Sequence, residues 1–258
     1  MSNTLKAILF DLDDTLIDWG DFHGNWREME HQNISHVHQH LLDNGYNDPV
    51  LDLNELVDEF RDLVMQAWDH GRQSMRAPYL PTLLQQALAN KGLNHFDETS
   101  FKPVLDAYMH NWGKVEAVKV FPDVLPFLDL LKERQIRSGI VTNAYQPMYM
   151  RDMELRDFEL LDYFPECRIS AADVGYLKPH PEIFKAALNQ LDLQSHEVVF
   201  IGDSVSADII GAQRMGIKAI WRTRPPQLIE HASLTRPDAM IYSFEELPAI
   251  LSNWFEAW

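Results

Sequence analysis

Short, unbroken apolar runs recur along the chain and fall in two separated blocks. Ala7-Ile8-Leu9-Phe10 stands near the start. Ser138-Gly139-Ile140-Val141, Glu197 to Ile201, Ile217 to Trp221 and Ala239 to Tyr242 come late, with a weaker candidate at Cys167-Arg168-Ile169-Ser170. Runs of this length without polar alternation suit strands buried on both faces. Between the late runs lie helix-like segments, Val124 to Arg134, Pro147 to Leu155, Pro181 to Leu191 and Ser206 to Met215. Strand alternating with helix predicts an α/β fold, a parallel sheet covered by helices on both faces.

Residues 17–116 break this rhythm. They hold no comparable strand run and carry long amphipathic stretches instead: Asn25 to Asn44, Leu53 to His70, Leu80 to Lys91 and Ser100 to Trp112. Asn44-Gly45, Asp48-Pro49, Gly71 and Gly92 punctuate them as caps and turns. The expected organisation is a core made of residues 1–16 and 117–258, with residues 17–116 forming a smaller all-helical domain inserted after the first strand.

The length of 258 residues suits one large domain carrying a smaller one. Lys and Arg number 22 against 39 Asp and Glu, a formal charge of −17. That sign repels phosphate backbones and anionic lipid, so neither nucleic acid nor a membrane is the expected partner. An anionic small molecule stays open, because a bound divalent cation can reverse the sign inside one cleft. A single cysteine, Cys167, the lack of a secretory start at Met1 to Lys6 and the lack of any membrane-length apolar run lead to the expectation of a cytoplasmic protein.

Chemistry enters where polar residues follow the strand runs. Asp11 and Asp13 follow the first, Thr142 and Asn143 the second, and Asp203 the run that ends at Ile201. In an open parallel sheet the carboxyl ends of the strands share one edge, and ligands bind in the crevice outside it. Carboxylates gathered there repel one another unless a hard cation neutralises them, and an oxygen-only donor set suits Mg2+. One carboxylate could then attack a phosphoryl group while a second exchanges a proton with the leaving oxygen. A lysine and a hydroxyl would hold the phosphoryl oxygens.

Asp11-Leu12-Asp13-Asp14-Thr15 after an apolar strand, Thr142-Asn143 after another, Lys178-Pro179, and Gly202-Asp203 with Asp208 five positions on together resemble the haloacid dehalogenase superfamily, in its phosphatase branch. The resemblance implies a Rossmann-like core, and the helical insertion resembles the superfamily's first type of cap domain. It further implies that Asp11 is the nucleophile, forming an aspartyl-phosphate, and that Asp13 is the general acid and base. Mg2+ would be held by the Asp11 carboxylate, the Asp13 backbone carbonyl and Asp203. Thr142 and the Asn143 amide would bind the phosphoryl group, Lys178 would steady Asp11 and the phosphate, and Asp208 would orient water or pair with Lys178. Dehalogenases of this kind lack an acid two positions after the nucleophile, so Asp13 points to phosphoryl transfer.

The reading is thus a Mg2+-dependent phosphatase acting on a small phosphorylated metabolite: a sugar phosphate, a nucleotide or a phosphoglycolate-like acid. A phosphomutase using the same residues and a non-catalytic regulatory or binding protein on the same fold are the alternatives. Trp19 and Phe22, nearest the first motif, are the cap residues expected to face substrate, while Trp26, Trp68, Tyr79 and Trp112 read as core. Asp14 and Asp18 read as solvated or capping residues, and Thr15 as a support for its loop. Of the clustered histidines His23, His31, His36, His38 and His40, only His36 and His40 have ligand spacing, and nothing completes a second metal site.

Overall fold

The computed structural model describes residues 4–22, 26–46, 51–110, 112–115, 117–224, 236–256 and 258. The chain enters through β1 (Ala7–Phe10) and β2 (Ile17–Asp18), then builds four cap helices: α1 (Trp26–Asp43), α2 (Leu53–Ser74), α3 (Leu80–Asn90) and α4 (Glu98–Tyr108). It returns through β3 (Lys119–Val120), α5 (Val124–Glu133), β4 (Arg137–Thr142), α6 (Met148–Asp157), β5 (Cys167–Ser170), α7 (Ala171–Val174) and α8 (Pro181–Leu191). β6 (Val198–Gly202), α9 (Ile210–Arg214), β7 (Lys218–Arg222), β8 (Ala239–Ile241) and α10 (Leu247–Trp254) complete it.

Among the described residues, six strands form one parallel sheet in the order β5-β4-β1-β6-β7-β8. Successive strand residues point to opposite faces, and both faces here are apolar. Ile8, Phe10, Ile140, Val199 and Ile201 pack with α5 and α10, whereas Ala7, Leu9, Val141, Val198 and Phe200 pack with α8 and α9. β1 lies between β4 and β6, with Phe10 opposite Ile140 and Ile201. The loops leaving β1, β4 and β6 therefore emerge at the same sheet edge.

The cap helices start where the sequence supplies acceptors for free backbone N–H groups: Asp52 accepts from Glu55 N, and Asp97 forms a capping box with Ser100. Ile34, Val37, Leu56, Phe60, Leu84 and Tyr108 build a separate apolar core in the cap. Backbone bonds fasten cap to sheet domain: Leu80 N to Tyr145 O at 2.8 Å, Leu177 N to Met75 O at 2.9 Å and Ala77 N to Gly175 O at 3.2 Å. Tyr108 and Tyr145 share a hydroxyl–hydroxyl bond of 2.8 Å across the same junction.

Two local features depart from the sequence reading. β2 pairs antiparallel with β3, Ile17 opposite Val120; strands of two residues carry no periodicity to read. The helix expected over Ser206 to Met215 begins as a π-helical turn, Val205–Ile209, in which the amides of both Asp208 and Ile209 bond Ser204 O. Such turns often occur at functional sites, and this one carries Asp208. Among the described residues, no helix is long and apolar enough to cross a membrane.

Candidate active site

Asp11 leaves the end of β1 with its amide bonded to Ile201 O at 2.9 Å, which fixes the backbone against β6. Its carboxylate is almost fully buried and has two protein partners. Lys178 Nζ donates to Oδ1 at 2.5 Å and Thr15 Oγ1 to Oδ2 at 3.2 Å. Thr15, expected only to support its loop, thus touches the carboxylate itself.

Lys178 is buried too, and its ammonium meets three acceptors: Asp11 Oδ1, Val141 O at 2.8 Å and Asp208 Oδ1 at 2.8 Å. Burial alone would favour loss of its proton, but the facing carboxylates of Asp11 and Asp208 outweigh that and hold the ammonium charged. Its backbone is clamped by Asn143, whose Oδ1 accepts from Lys178 N at 2.7 Å and whose Nδ2 donates to Lys178 O at 3.2 Å. Thr142 is buried as the last residue of β4, opposite Ser170 in register.

Asp208 is positioned by Ser204 N, which donates to its Oδ2 at 2.9 Å, and by close approach to Gly202. A Cβ at position 202 would lie 2.4 Å from Asp208 Cγ and Oδ2, so the strand must end in glycine for Asp208 to reach Lys178. Trp221 Nε1 donates to Asp203 O at 2.7 Å and fixes that loop. Carboxylate atoms of Asp11, Asp203 and Asp208 lie within 4.8 Å of one another and can hold a metal ion. Burial is the main force pushing the Asp11 and Asp203 carboxyls upward, and repulsion from their acidic neighbours adds to it.

The Asp13 side chain turns away from this cluster. Trp19 Nε1 donates to its Oδ1 at 3.0 Å, and Arg151 donates to Oδ1 and Oδ2 at 2.9 and 3.0 Å. Arg151, on α6, is buried and also contacts Glu154 Oε2 at 2.9 Å. Burial pushes the Glu154 carboxyl up to about 8 despite this guanidinium. Asp14 and Asp18 are ion-paired rather than freely solvated, since Arg224 reaches Asp14 Oδ1 at 2.6 Å and Asp18 Oδ1 at 2.7 Å. Asp14 adopts φ 59°, a left-handed turn that sends the chain from the first motif towards β2.

A cavity of about 480 Å³ opens beside Asp13, lined by residues of cap and sheet domain. Trp19 lines it. Phe22 is not among the lining residues but packs edge-on against Trp19 and Trp26, with ring centroids at 5.5 and 4.9 Å. Trp112 is buried in the cap core and Trp68 packs against it, as read from sequence, yet both also line the cavity, as does Trp26, which is exposed rather than core. His38 Nε2 meets Leu51 O at 2.8 Å and His36 packs against His110, while His23 lies outside the described residues. Arg151, Glu154 and Arg224 were not singled out from sequence. An Arg-x-x-Glu pair on a polar helix reads as solvent-facing, and Arg224 lies 210 positions from its partner Asp14.

Residues 5–216 match the sequence profile of the haloacid dehalogenase-like hydrolases. The glyceraldehyde 3-phosphate phosphatase of Pyrococcus furiosus is 30% identical over 218 residues, 84% of this chain and 80% of that one. The pyrophosphatase PpaX of Bacillus cereus (strain G9842) is 30% identical over 162 residues, 61% of this chain and 72% of that one. Among solved structures, the 2-haloacid dehalogenase of Pseudomonas syringae pv. Tomato DC3000 superposes with TM-score 0.65 at 26% identity, covering 97% of this chain and all (100%) of that one. A phosphatase of the same superfamily from Thermococcus onnurineus gives 0.60 at 25% identity, covering 96% of this chain and 98% of that one. With a buried lysine among three aspartates at the edge of a parallel sheet, a helical cap above it and a sequence match along most of its length, the chain belongs to the haloacid dehalogenase-like hydrolases, in their phosphatase branch.

Proposed function

We propose that this enzyme is a Mg2+-dependent phosphatase that hydrolyses a small phosphorylated metabolite through an aspartyl-phosphate at Asp11. One observation carries the proposal: Lys178 bridges Asp11 and Asp208 while Asp203 completes the carboxylate group. Three carboxylates facing one ammonium leave two negative charges in a buried site. A divalent cation balances that charge, and a donor set of oxygens alone fits Mg2+. Asp11 and Asp203, with the Asp13 backbone carbonyl, would hold the ion, and Asp208 would stay with Lys178. When bound, Mg2+ offsets charge on the phosphoryl oxygens.

The remaining steps fall to side chains. An Asp11 oxygen attacks phosphorus as the bond to the leaving oxygen breaks, and Asp13 supplies that oxygen with a proton. Water then attacks the phosphoryl group, Asp13 takes its proton, and Asp11 and inorganic phosphate are released. Thr142, the Asn143 amide and Lys178 would hold the phosphoryl oxygens meanwhile. Arg151 and Trp19 position Asp13, which exchanges one of these partners for the leaving oxygen. A halide leaves without a proton, so an acid at Asp13 supports phosphoryl transfer over carbon–halogen cleavage.

The division of labour would follow residues 1–16 and 117–258 as catalytic core and 17–116 as cap. A cap placed over the sheet edge controls water access, and the substrates named for the relatives, glyceraldehyde 3-phosphate and pyrophosphate, are small. The test is phosphate release from an aryl phosphate by chelated protein, with and without added Mg2+. Release that needs Mg2+, disappears in Asp11→Asn and matches substrate loss supports hydrolysis over internal transfer. Release that survives either treatment contradicts it.

A further inference from the structure

The cavity beside Asp13 has walls that say more about the leaving group. Six aromatic side chains line it: Trp19, Trp26, Trp68, Tyr108, Trp112 and Tyr145. Two pairs are layered, Trp19 and Trp26 at 5.3 Å and 28° and Tyr108 and Trp112 at 6.3 Å and 28°, while Trp68 meets Tyr145 tilted, at 6.0 Å and 58°. Trp26 remains 56% exposed although it stacks on Trp19. Tyr108, Trp112 and Tyr145 are buried in the cap core, so the aromatic surface open to a ligand is that of Trp26 with the half-buried Trp19 and Trp68. A large exposed aromatic beside a concave site marks recognition.

Charge narrows the choice. Asp13, Asp14 and Glu30 line the cavity; among the described residues its one lining cation is Arg151, engaged by Asp13 and Glu154, while Arg224 pairs with Asp14 and Arg61 acts on Glu30. A second anionic group on the substrate would find no lining cation left to pair with it among the described residues, whereas an N–H donor could meet Glu30.

Resting on the phosphatase reading above, we infer that the substrate is a phosphomonoester whose alcohol carries a planar nitrogen heterocycle and no second anionic group, the ring lying among these aromatics while the phosphate reaches Asp11. Stacking on an aromatic surface is sequence-tolerant and strong for such rings.

The experiment compares kcat/KM for matched compounds on the Mg2+-loaded enzyme. Adenosine and cytidine 5′-monophosphates are set against ribose 5-phosphate, which has the same phosphorylated sugar without the ring. Pyridoxal 5′-phosphate represents a ring carried without ribose, and phosphoglycolate a small substrate with a second anion. Ring-bearing compounds should exceed ribose 5-phosphate and phosphoglycolate by about ten- to a hundredfold. Whether the nucleotides or pyridoxal 5′-phosphate lead identifies the source of the ring. Trp26→Ala should shrink the preference towards parity and Trp26→Phe should restore most of it. Ribose 5-phosphate or phosphoglycolate matching the ring-bearing compounds on active enzyme would overturn the inference. Binding of adenosine and pyridoxine, which carry no phosphate, is measured separately by calorimetry. Saturable binding weakened by Trp26→Ala supports the ring site even if no compound releases phosphate, a result that would count against the phosphatase reading alone. Failure of both to bind would count against the ring site.

Discussion

Gly202→Ala is a small change that should disable the site through one contact. The added Cβ would sit 2.4 Å from Asp208 Cγ and Oδ2, where ordinary contact begins at 3.4 Å, so Asp208 must retreat by about 1 Å. Its bond to Lys178 Nζ is 2.8 Å and its bond from Ser204 N is 2.9 Å, and neither survives such a move intact. Lys178 would then keep Asp11 as its one carboxylate partner among the described residues, beside Val141 O. A misplacement of about 1 Å at reacting groups can cost about 10²-fold in rate, so kcat should fall by about that factor with KM changing less. Overpacking costs about 1–3 kcal/mol, or a fall in Tm of roughly 2 to 12 °C for a chain of this size. Gly139→Ala is the control. There a Cβ meets Leu9 Cδ2 at 2.7 Å and Cys167 Cβ at 3.0 Å, inside the sheet, and its three nearest contacts include no atom of Asp11, Lys178 or Asp208. The assay is steady-state phosphate release well below the Tm of each variant, beside thermal unfolding. Gly139→Ala should lose stability and keep kcat within a few-fold. Wild-type kcat in Gly202→Ala, or equal losses of kcat in both variants, would refute the reasoning.

Other contacts set further outcomes. Asp13→Asn should lower kcat by about 10² to 10⁴ with the fold intact, as seen by circular dichroism. Ca2+ should replace Mg2+ poorly, because its looser coordination of six to eight oxygens would engage the Asp11 oxygen needed for attack; equal rates after chelation and re-addition would contradict this. Asp123 lies below the ordinary carboxylate range: burial alone would raise it, but Arg222 at 2.8 Å and the Phe244 amide at 2.7 Å outweigh burial. Asp123→Ala leaves Arg222 buried and unpaired and should cost about 3–5 kcal/mol in denaturant unfolding. Because the folded carboxyl is depressed, the wild-type stability that depends on its charge should be constant above the unfolded value of about 3.9 and fade as pH falls below it.

The parts of this molecule legible from sequence are those set by unbroken apolar runs. Ala7–Phe10 has the same bounds as read from the pattern, because a strand buried on both faces leaves no polar position to blur its ends; Cys167–Ser170, an edge strand with Arg168 partly exposed, has the same bounds too. The grouping of Asp11, Lys178 and Asp203 at one edge follows from parallel topology, which the strand–helix alternation discloses. The environment of Asp13 was not legible. Arg151 and Glu154 look like a surface pair, and only the packing of α6 between sheet and cap buries them. The cavity was hidden for a related reason: Trp68 and Tyr145 come from different domains, and aromatics at helical spacing look the same whether they fill a core or line a void. The resemblance to the family already offered Asp208 as a partner of Lys178, as it is here; only the π-helical turn that carries it there has no residue pattern to announce it.

Covalent chemistry at Asp11 is open to direct trapping. Enzyme turning over a phosphomonoester with Mg2+ is quenched, treated with borohydride to reduce any acyl-phosphate to the alcohol, and mapped by peptide mass spectrometry. Homoserine should appear at position 11, dependent on both substrate and Mg2+ and absent from Asp11→Asn. Reduction at Asp13 or Asp203 instead, or no reduced carboxylate while the quenched enzyme was in rapid turnover, would contradict it.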